Sequence, residues 1–367
     1  EAAQVEAILR HLGLSPKATA EGFSVSAPSF RFDIEIEADV IEEIGRVYGY
    51  DNIPDERTSG RLKMLPLPET KQSRFDVYRQ MAARGYQEVV SYAFVNEEWE
   101  RDFAANADPV RLQNPLAAQY AVMRSTLIGG LVEILQNNLN RKQSRVRVFE
   151  IARVFSKASD GRFVQNERVG GLLYGSALPE QWGEKSRSVD FYDAKADVEA
   201  LLAGKAVQFV KAAHPALHPG RTAEIVLDGQ TIGFIGELHP QWLQKYDLLQ
   251  AALVFEVDMA AVAAKEKAAY RPVSKFQPVR RDLAFVMPEE MSHDSLLSAL
   301  HRAAGKLVQE ISVFDVYRGA GLPEGMKSLA VKIMLQDTEA TLTDETVEPL
   351  IGRLIQAAAD AGAQLRG

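Results

Sequence analysis

The sequence predicts a multi-domain α+β protein, and three observations lead there. The chain has 367 residues, whereas one domain runs ~100–200. Its middle alternates helical and extended patterns and places Asp228-Gly229 between AEIVL and TIGFIGEL, a two-residue hairpin signal. Hairpins build antiparallel sheets, so a doubly wound parallel sheet is not expected. The last ~95 residues read strand, helix, strand, strand, helix, strand, the βαββαβ order of a ferredoxin-like split unit.

The first domain is expected at 1–56. Val5, Ile8, Leu9 and Leu12 recur at helical spacing, and Gly13 follows as a stop. Glu21-Gly22 turns between two short extended runs. Phe30, Phe32, Ile34 and Ile36 alternate with Arg31, Asp33, Glu35 and Glu37, which predicts a half-buried strand. Asp39 is placed to cap the next helix, with Glu42 completing a capping box. Val40, Ile41, Ile44, Val47 and Tyr48 make that helix's apolar stripe. Residues 55–68 read as a linker rich in Pro.

The second domain is expected at 70–270. Phe75, Tyr78, Met81 and Ala82 mark a helix that Gly85 stops. YQEVVSYAFV reads as one strand, and Ser125 as the cap of the helix STLIGGLVEILQNNLNRK. VRVFEIARVF, RVGGLLYG and LVFEV read as further strands, and 190–202 as a helix. The third domain, 273–367, holds DLAFVM, ISVFDVYRG, SLAVKIML and AQLR as strands, with helices at 292–304 and 343–361. Thr343 would cap the last helix, with Asp344 and Glu345 complementing its dipole.

An apolar fraction of 46% and a charged fraction of 25% are ordinary for a globular chain. There is no run of eighteen apolar residues and no basic, apolar leader, so neither a membrane span nor a secretory signal is predicted. Zero Cys excludes disulfides and thiolate zinc sites. A cytoplasmic setting is the expectation. The chain opens on Glu1 inside a helical pattern with no initiator Met, which suggests a piece of something longer. Residues 1–60 hold five Lys+Arg against twelve Asp+Glu, and 273–367 hold ten against thirteen. With −7 and −3 there and −8 overall, the middle carries +2. No part is a basic nucleic-acid module by charge alone, so any RNA contact would be local.

Six carboxylates fall between residues 33 and 43: Asp33, Glu35, Glu37, Asp39, Glu42 and Glu43. On a helix Asp39, Glu42 and Glu43 share one face, with Arg46 beside them. Two readings are open, a solvated polar face or a site for a hard cation such as Mg²⁺, which takes carboxylate oxygens. Spacing does not choose between them. His214 and His218 stand four apart, but Pro215 and Pro219 follow them and disfavour a helical ligand pair. No phosphate loop, dinucleotide fingerprint or nucleophile–base pattern is present. Arg280-Arg281, with Lys275 and Phe276 just before, is either an edge-strand charge cluster or a phosphate contact beside a sheet bearing Phe285, Phe314 and Tyr317.

PSFRFDIEIEADVIEEIGRVYGYDNIP resembles the signature that ends one domain in the β subunit of bacterial-type phenylalanyl-tRNA synthetases. NPL at 114–116, MRSTLIGGLVEILQNNLNR and VFEIARVF resemble that family's catalytic-like module, and HPGRTAEI and IGFIGELHP its later strands. SKFQPVRRDLAFVM opens a stretch similar to the family's ferredoxin-fold anticodon-binding domain. The resemblance runs over essentially the whole chain.

It implies an α₂β₂ ligase that joins L-phenylalanine to its tRNA using ATP, with the active site on the α subunit. The β module has the class II synthetase architecture, an antiparallel sheet with helices, in degenerate form. In place of the motif F-R-x-E this chain has Arg147-Val148-Phe149-Glu150, and no glycine-rich motif ending in an ATP-binding Arg follows. The resemblance therefore implies no catalytic residue here, with ATP a substrate of the complex rather than of this chain. It also implies Mg²⁺ shared with the α subunit, carried over to Asp33, Asp39, Glu42 and Glu43, leaving Glu35 and Glu37 solvated. Lys275, Arg280 and Arg281 become candidate tRNA contacts. The family's upstream oligonucleotide-binding and editing domains have no counterpart in this sequence, and the first domain looks truncated before Glu1, so the chain is expected to be a C-terminal fragment inactive by itself. A free-standing RNA-binding or regulatory protein built from synthetase domains is the alternative. A metal-dependent hydrolase is a third reading, and it lacks a general base.

Overall fold

A computed structural model describes every residue except Arg57, 65–67, Arg271 and Gly367. The chain divides into two compact units, 1–67 and 68–367.

The first unit holds the helix Ala2–His11, the hairpin Ser15–Thr19 with Gly22–Ser26, and the helix Glu37–Tyr48. The strand expected over Phe30 to Ile36 is not formed. That stretch runs as turns, with Phe30 69%, Phe32 86% and Ile36 64% exposed. A strand needs a neighbour to take its backbone hydrogen bonds, and the hairpin is the unit's one ladder among the described residues. The helix begins three residues earlier than expected, at Glu37 after a cap at Ile36. Asp39 stands in its first turn, where one carboxylate oxygen accepts from the Glu35 and Ile36 amides at 2.8 and 2.9 Å. Glu42 does not join the cap. The apolar stripe is half open: Val40 and Ile44, with Val5, Leu9, Phe23 and Ile34, line a cavity of about 430 Å³. The described residues of the expected linker at 55–68 form no regular element; Arg57 and 65–67 lie outside the described residues.

The second unit is built on a seven-stranded sheet. Its order is Gln87–Glu88, Val146–Lys157, Phe163–Tyr174, Leu253–Asp258, Gln230–Leu238, Leu217–Leu227 and Val207–Lys211. Every pair is antiparallel except the first. Asp228 and Gly229, at φ 50° and 76°, make the expected tight turn. Both sheet faces are buried. One packs Phe149, Phe255 and Ile235 under the helices Arg74–Ala83 and Phe191–Leu201. The other packs Leu172 and Val254 under the helix Ile128–Asn140.

Two expectations change here. YQEVVSYAFV splits into Gln87–Glu88, which joins the large sheet, and Phe94–Val95, which pairs with Val122–Met123. Ser125 is not a cap, because it turns to Glu100, donating from its amide at 2.8 Å and its hydroxyl at 2.6 Å. The Ile128–Asn140 helix is capped from a distant strand instead: Glu256 accepts from the Leu127 amide at 2.8 Å and the Thr126 hydroxyl at 2.7 Å. A buried helix end must find acceptors for its free amides, and a buried carboxylate supplies one. Gly129 and Gly130 let this helix sit close, since a Cβ on either would stand 2.5 Å from Trp99 or 2.4 Å from Ser91.

The C-terminal part forms Val279–Pro288, His293–Ala303, Val308–Tyr317, Met326–Leu335, Asp344–Asp360 and Gln364–Leu365. This is the expected βαββαβ order. Its sheet runs Val308–Tyr317, Met326–Leu335, Val279–Pro288, Gln364–Leu365, all antiparallel. Phe285, Leu329, Val331 and Ile333 pack under both helices. Thr343 stands at the cap position, but its hydroxyl meets that of Thr346 rather than a backbone amide. Among the described residues no helix is long and apolar enough to cross a membrane.

Candidate functional site

The acidic stretch already holds a cation of its own. Arg31 forks onto Asp33, with Nε 3.0 Å from Oδ1 and Nη2 2.7 Å from Oδ2, and donates from Nη1 to Glu43 at 3.0 Å. Arg46 forks onto Glu43 from the same helix, with both bonds at 2.7 Å. Glu43 is the helix's one buried residue. Arg46, and after it Arg31, hold its carboxyl down to about 2. Arg31 likewise depresses Asp33. Asp39 is depressed by the Ile36 and Glu35 amides, against an opposing push from Asp33.

This arrangement does not fit Mg²⁺. An octahedral ion at ~2.1 Å needs carboxylate oxygens turned toward one point. Asp33 and Glu43 turn toward Arg31, Asp39 toward backbone amides, and Glu42 lies exposed on the helix. Among the described residues no group of three or more His, Cys, Asp or Glu is placed to hold a metal ion. Of the four residues carried over, Asp33 and Glu43 meet through one guanidinium, and Asp39 lies near enough to Asp33 to feel its charge. The signal was present in the sequence: Arg31 stands two residues before Asp33.

In the second unit Glu150, which ends the stretch Arg147 to Glu150, is committed internally. Glu150, 3% exposed, accepts from the Ser91 hydroxyl at 2.7 Å and from Arg124 at 3.2 Å, and Arg124 is 4% exposed. Arg168 meets Glu256 at 3.1 Å, and burial raises the Glu256 pKa against Arg168's opposing pull. The two histidines serve their own loops. His214 stacks on Phe234 with ring centres 4.0 Å apart and accepts from the Ala216 amide, while His218 accepts from the Gly220 amide at 3.0 Å. Burial, and then Arg168, push His214 down to about 4.

The basic residues of the C-terminal sheet face opposite ways, as neighbours on a strand must. Arg280 lies on the open face, forked onto Asp282 at 2.8 and 2.9 Å and 5.6 Å over the Phe314 ring. Arg281 lies on the helix side, 2.8 Å from Asp344 and 3.4 Å from Glu348. Phe285, grouped above with the sheet aromatics, is fully buried beneath the helices. Lys275 stands before the first strand, exposed and 5.4 Å over Phe276. A further cation, Arg366, lies 5.1 Å over Tyr317. Nothing in its local sequence marks it; chain return through Gln364–Leu365 puts it beside the sheet.

Comparison with known proteins places these features. The family model described as the phenylalanyl tRNA synthetase beta chain CLM domain matches residues 53–259, more than half of the chain. The chain belongs to the phenylalanyl-tRNA synthetase β-chain family. Models for the tRNA synthetase B5 domain and the ferredoxin-fold anticodon binding domain match 1–50 and 274–366 of this family member. Relatives named phenylalanine–tRNA ligase beta subunit include that of Neisseria meningitidis serogroup A, 79% identical over 99% of this chain and 46% of its own length. That of Chromobacterium violaceum is 56% identical over 98% of this chain and 46% of its own length. The chain thus spans about half the length of the curated relatives it matches. A solved pyrrolysyl tRNA synthetase from Desulfitobacterium hafniense is 10% identical, with a TM-score of 0.39 over 52% of this chain and 66% of that one, too loose a likeness to weigh.

Proposed function

We propose that the chain is part of the β subunit of a phenylalanine–tRNA ligase. It supports ATP-dependent attachment of L-phenylalanine to tRNA by assembly and tRNA binding, and it does not carry the reaction. The observation behind this reading is the 79% identity, over 99% of the chain, to a protein named as that subunit. In this reading three modules at 1–56, 70–270 and 273–367 divide the work. The middle module is a scaffold for an α subunit in an α₂β₂ assembly, and the α subunit holds the active site. Its buried charges suit a scaffold, because Glu150 is already satisfied by Arg124 and Ser91 and is closed to a nucleotide.

The C-terminal module takes tRNA on the open face of its sheet. There Arg280 offers a charge and Phe314, 53% exposed, a stacking surface. Lys275 adds a phosphate contact beside it. Arg281 is left out, being held by the last helix. The setting is the cytoplasm. Mg²⁺ is left out as well, because Asp33 and Glu43 are satisfied by Arg31.

Co-purification of the chain with an α subunit tests the scaffold role. A stable complex is expected, and its absence would sink that role. Filter binding of tRNA tests the sheet face, as set out in the Discussion.

A further inference from the structure

One end of the seven-stranded sheet gathers more positive charge than its acids match. Asp197, 2% exposed, lies on the helix Phe191–Leu201. It accepts from Arg84 Nε at 2.5 Å, from the Tyr86 hydroxyl at 2.6 Å and from Arg147 Nη1 at 3.4 Å. Two guanidiniums therefore share one carboxylate. Arg147 also lies 5.5 Å over the Tyr86 ring, and its buried Nε has no partner among the described residues. Arg145, just before that strand, reaches only carbonyls among the described residues, those of Ser176 at 3.1 Å and Ala177 at 3.2 Å. Burial and then the neighbouring Arg147 lower its pKa. The next acid, Asp193, is taken by Arg187 in a two-bond fork.

A groove of about 320 Å³ opens at this end, lined by Gly85, Gln87, Asn138, Gln143, Arg145 and Arg147. No acid is among its lining residues. Surplus charge held partly away from water is costly unless something of opposite sign pairs with it. Planar guanidiniums beside side-chain amides make the donor set that recognises carboxylate and phosphate oxygens.

We propose that this groove binds one small oxyanion, a carboxylate or a phosphate group, against Arg145 and Arg147. The site stands apart from the ligase reading and holds or fails independently of it.

The test follows the arginine Nε–H resonances of the whole chain by NMR. Inorganic phosphate and acetate are titrated separately, at an ionic strength held constant with chloride. A saturable shift of the Arg145 and Arg147 resonances is expected, with a rise in the thermal midpoint. A response to phosphate alone assigns a phosphate group; a response to acetate as well assigns a carboxylate, as a partner's side chain would present. Arg147→Met should abolish the shift at Arg145, and Arg145→Met the shift at Arg147. Should either variant fail to fold, the wild-type resonances decide. Indifference of both to both anions would overturn the site, as would a thermal gain equalled by chloride.

Discussion

In the first unit six carboxylates crowd residues 33–43 near open water, while at the sheet end two guanidiniums share one buried acid, with a third, Arg145, held by carbonyls beside them. The acids manage with little help. Arg31 and Arg46 neutralise Asp33 and Glu43, and Glu35, Glu37 and Glu42 lie exposed. Water at high dielectric reduces what remains of their repulsion to a small cost. The guanidiniums have less relief, since Asp197 is buried and Arg147 keeps a buried Nε with no partner among the described residues. The same imbalance of charge is tolerable in one place and calls for a ligand in the other. Between them stands the balanced case, Arg124 against Glu150, one buried cation to one buried anion.

The sharpest way to break this comparison is to unbalance the balanced pair. Glu150→Gln leaves Arg124 buried beside a neutral amide, and urea unfolding should show a loss of ~3–5 kcal/mol. A loss below ~1 kcal/mol would mean that water reaches Arg124 and that burial is not what separates the regions. Asp197→Asn should cost about as much, for the same reason, and inorganic phosphate should restore part of the loss. Phosphate that helps Asp197→Asn no more than wild type would remove the charge surplus as the cause.

Smaller effects are expected at the exposed residues. Arg280→Ala should lower the salt slope of tRNA binding by ~1, the signature of one lost phosphate contact. Arg281→Ala should leave the slope unchanged, because that side chain faces Asp344 and Glu348. Equal effects from both would contradict the opposed faces.

The smallest effect is a pH dependence in the acidic stretch. Glu43 is held down to about 2 from an ordinary 4.5. A depressed acid stabilises the folded state above its unfolded pKa, and that contribution is lost as pH falls through its folded value. A carboxyl ¹³C titration should therefore find Glu43 ionised at pH 4 and protonated only near 2, with Arg46→Gln raising the midpoint. A wild-type midpoint near 4.5 would mean that the arginines do not hold it.

Much of the fold was legible because its signals are local. Asp228-Gly229 requires only two backbone conformations that those residues adopt readily, φ 50° and 76°, and the hairpin follows. The C-terminal order of elements follows from apolar periods that switch between 2 and 3.6 along the chain. The opposition of Arg280 and Arg281 was equally present, since adjacent strand residues point to opposite faces.

The failures share one physical cause. Phe30 to Ile36 has a strand's alternation, but a ladder also needs a neighbour, and none is offered within the unit's described residues. Ser125 has a cap's chemistry, yet Glu100 draws it away and Glu256, more than a hundred residues distant, takes over the helix end. The acidic stretch read alone left a solvated face and a cation site both open. Its sequence determined the density of charge and the helix that carries Glu43 and Arg46. Which positive group answers that charge was decided by tertiary structure, because a turn in place of a strand brings Arg31 within 3.0 Å of Glu43, twelve residues away.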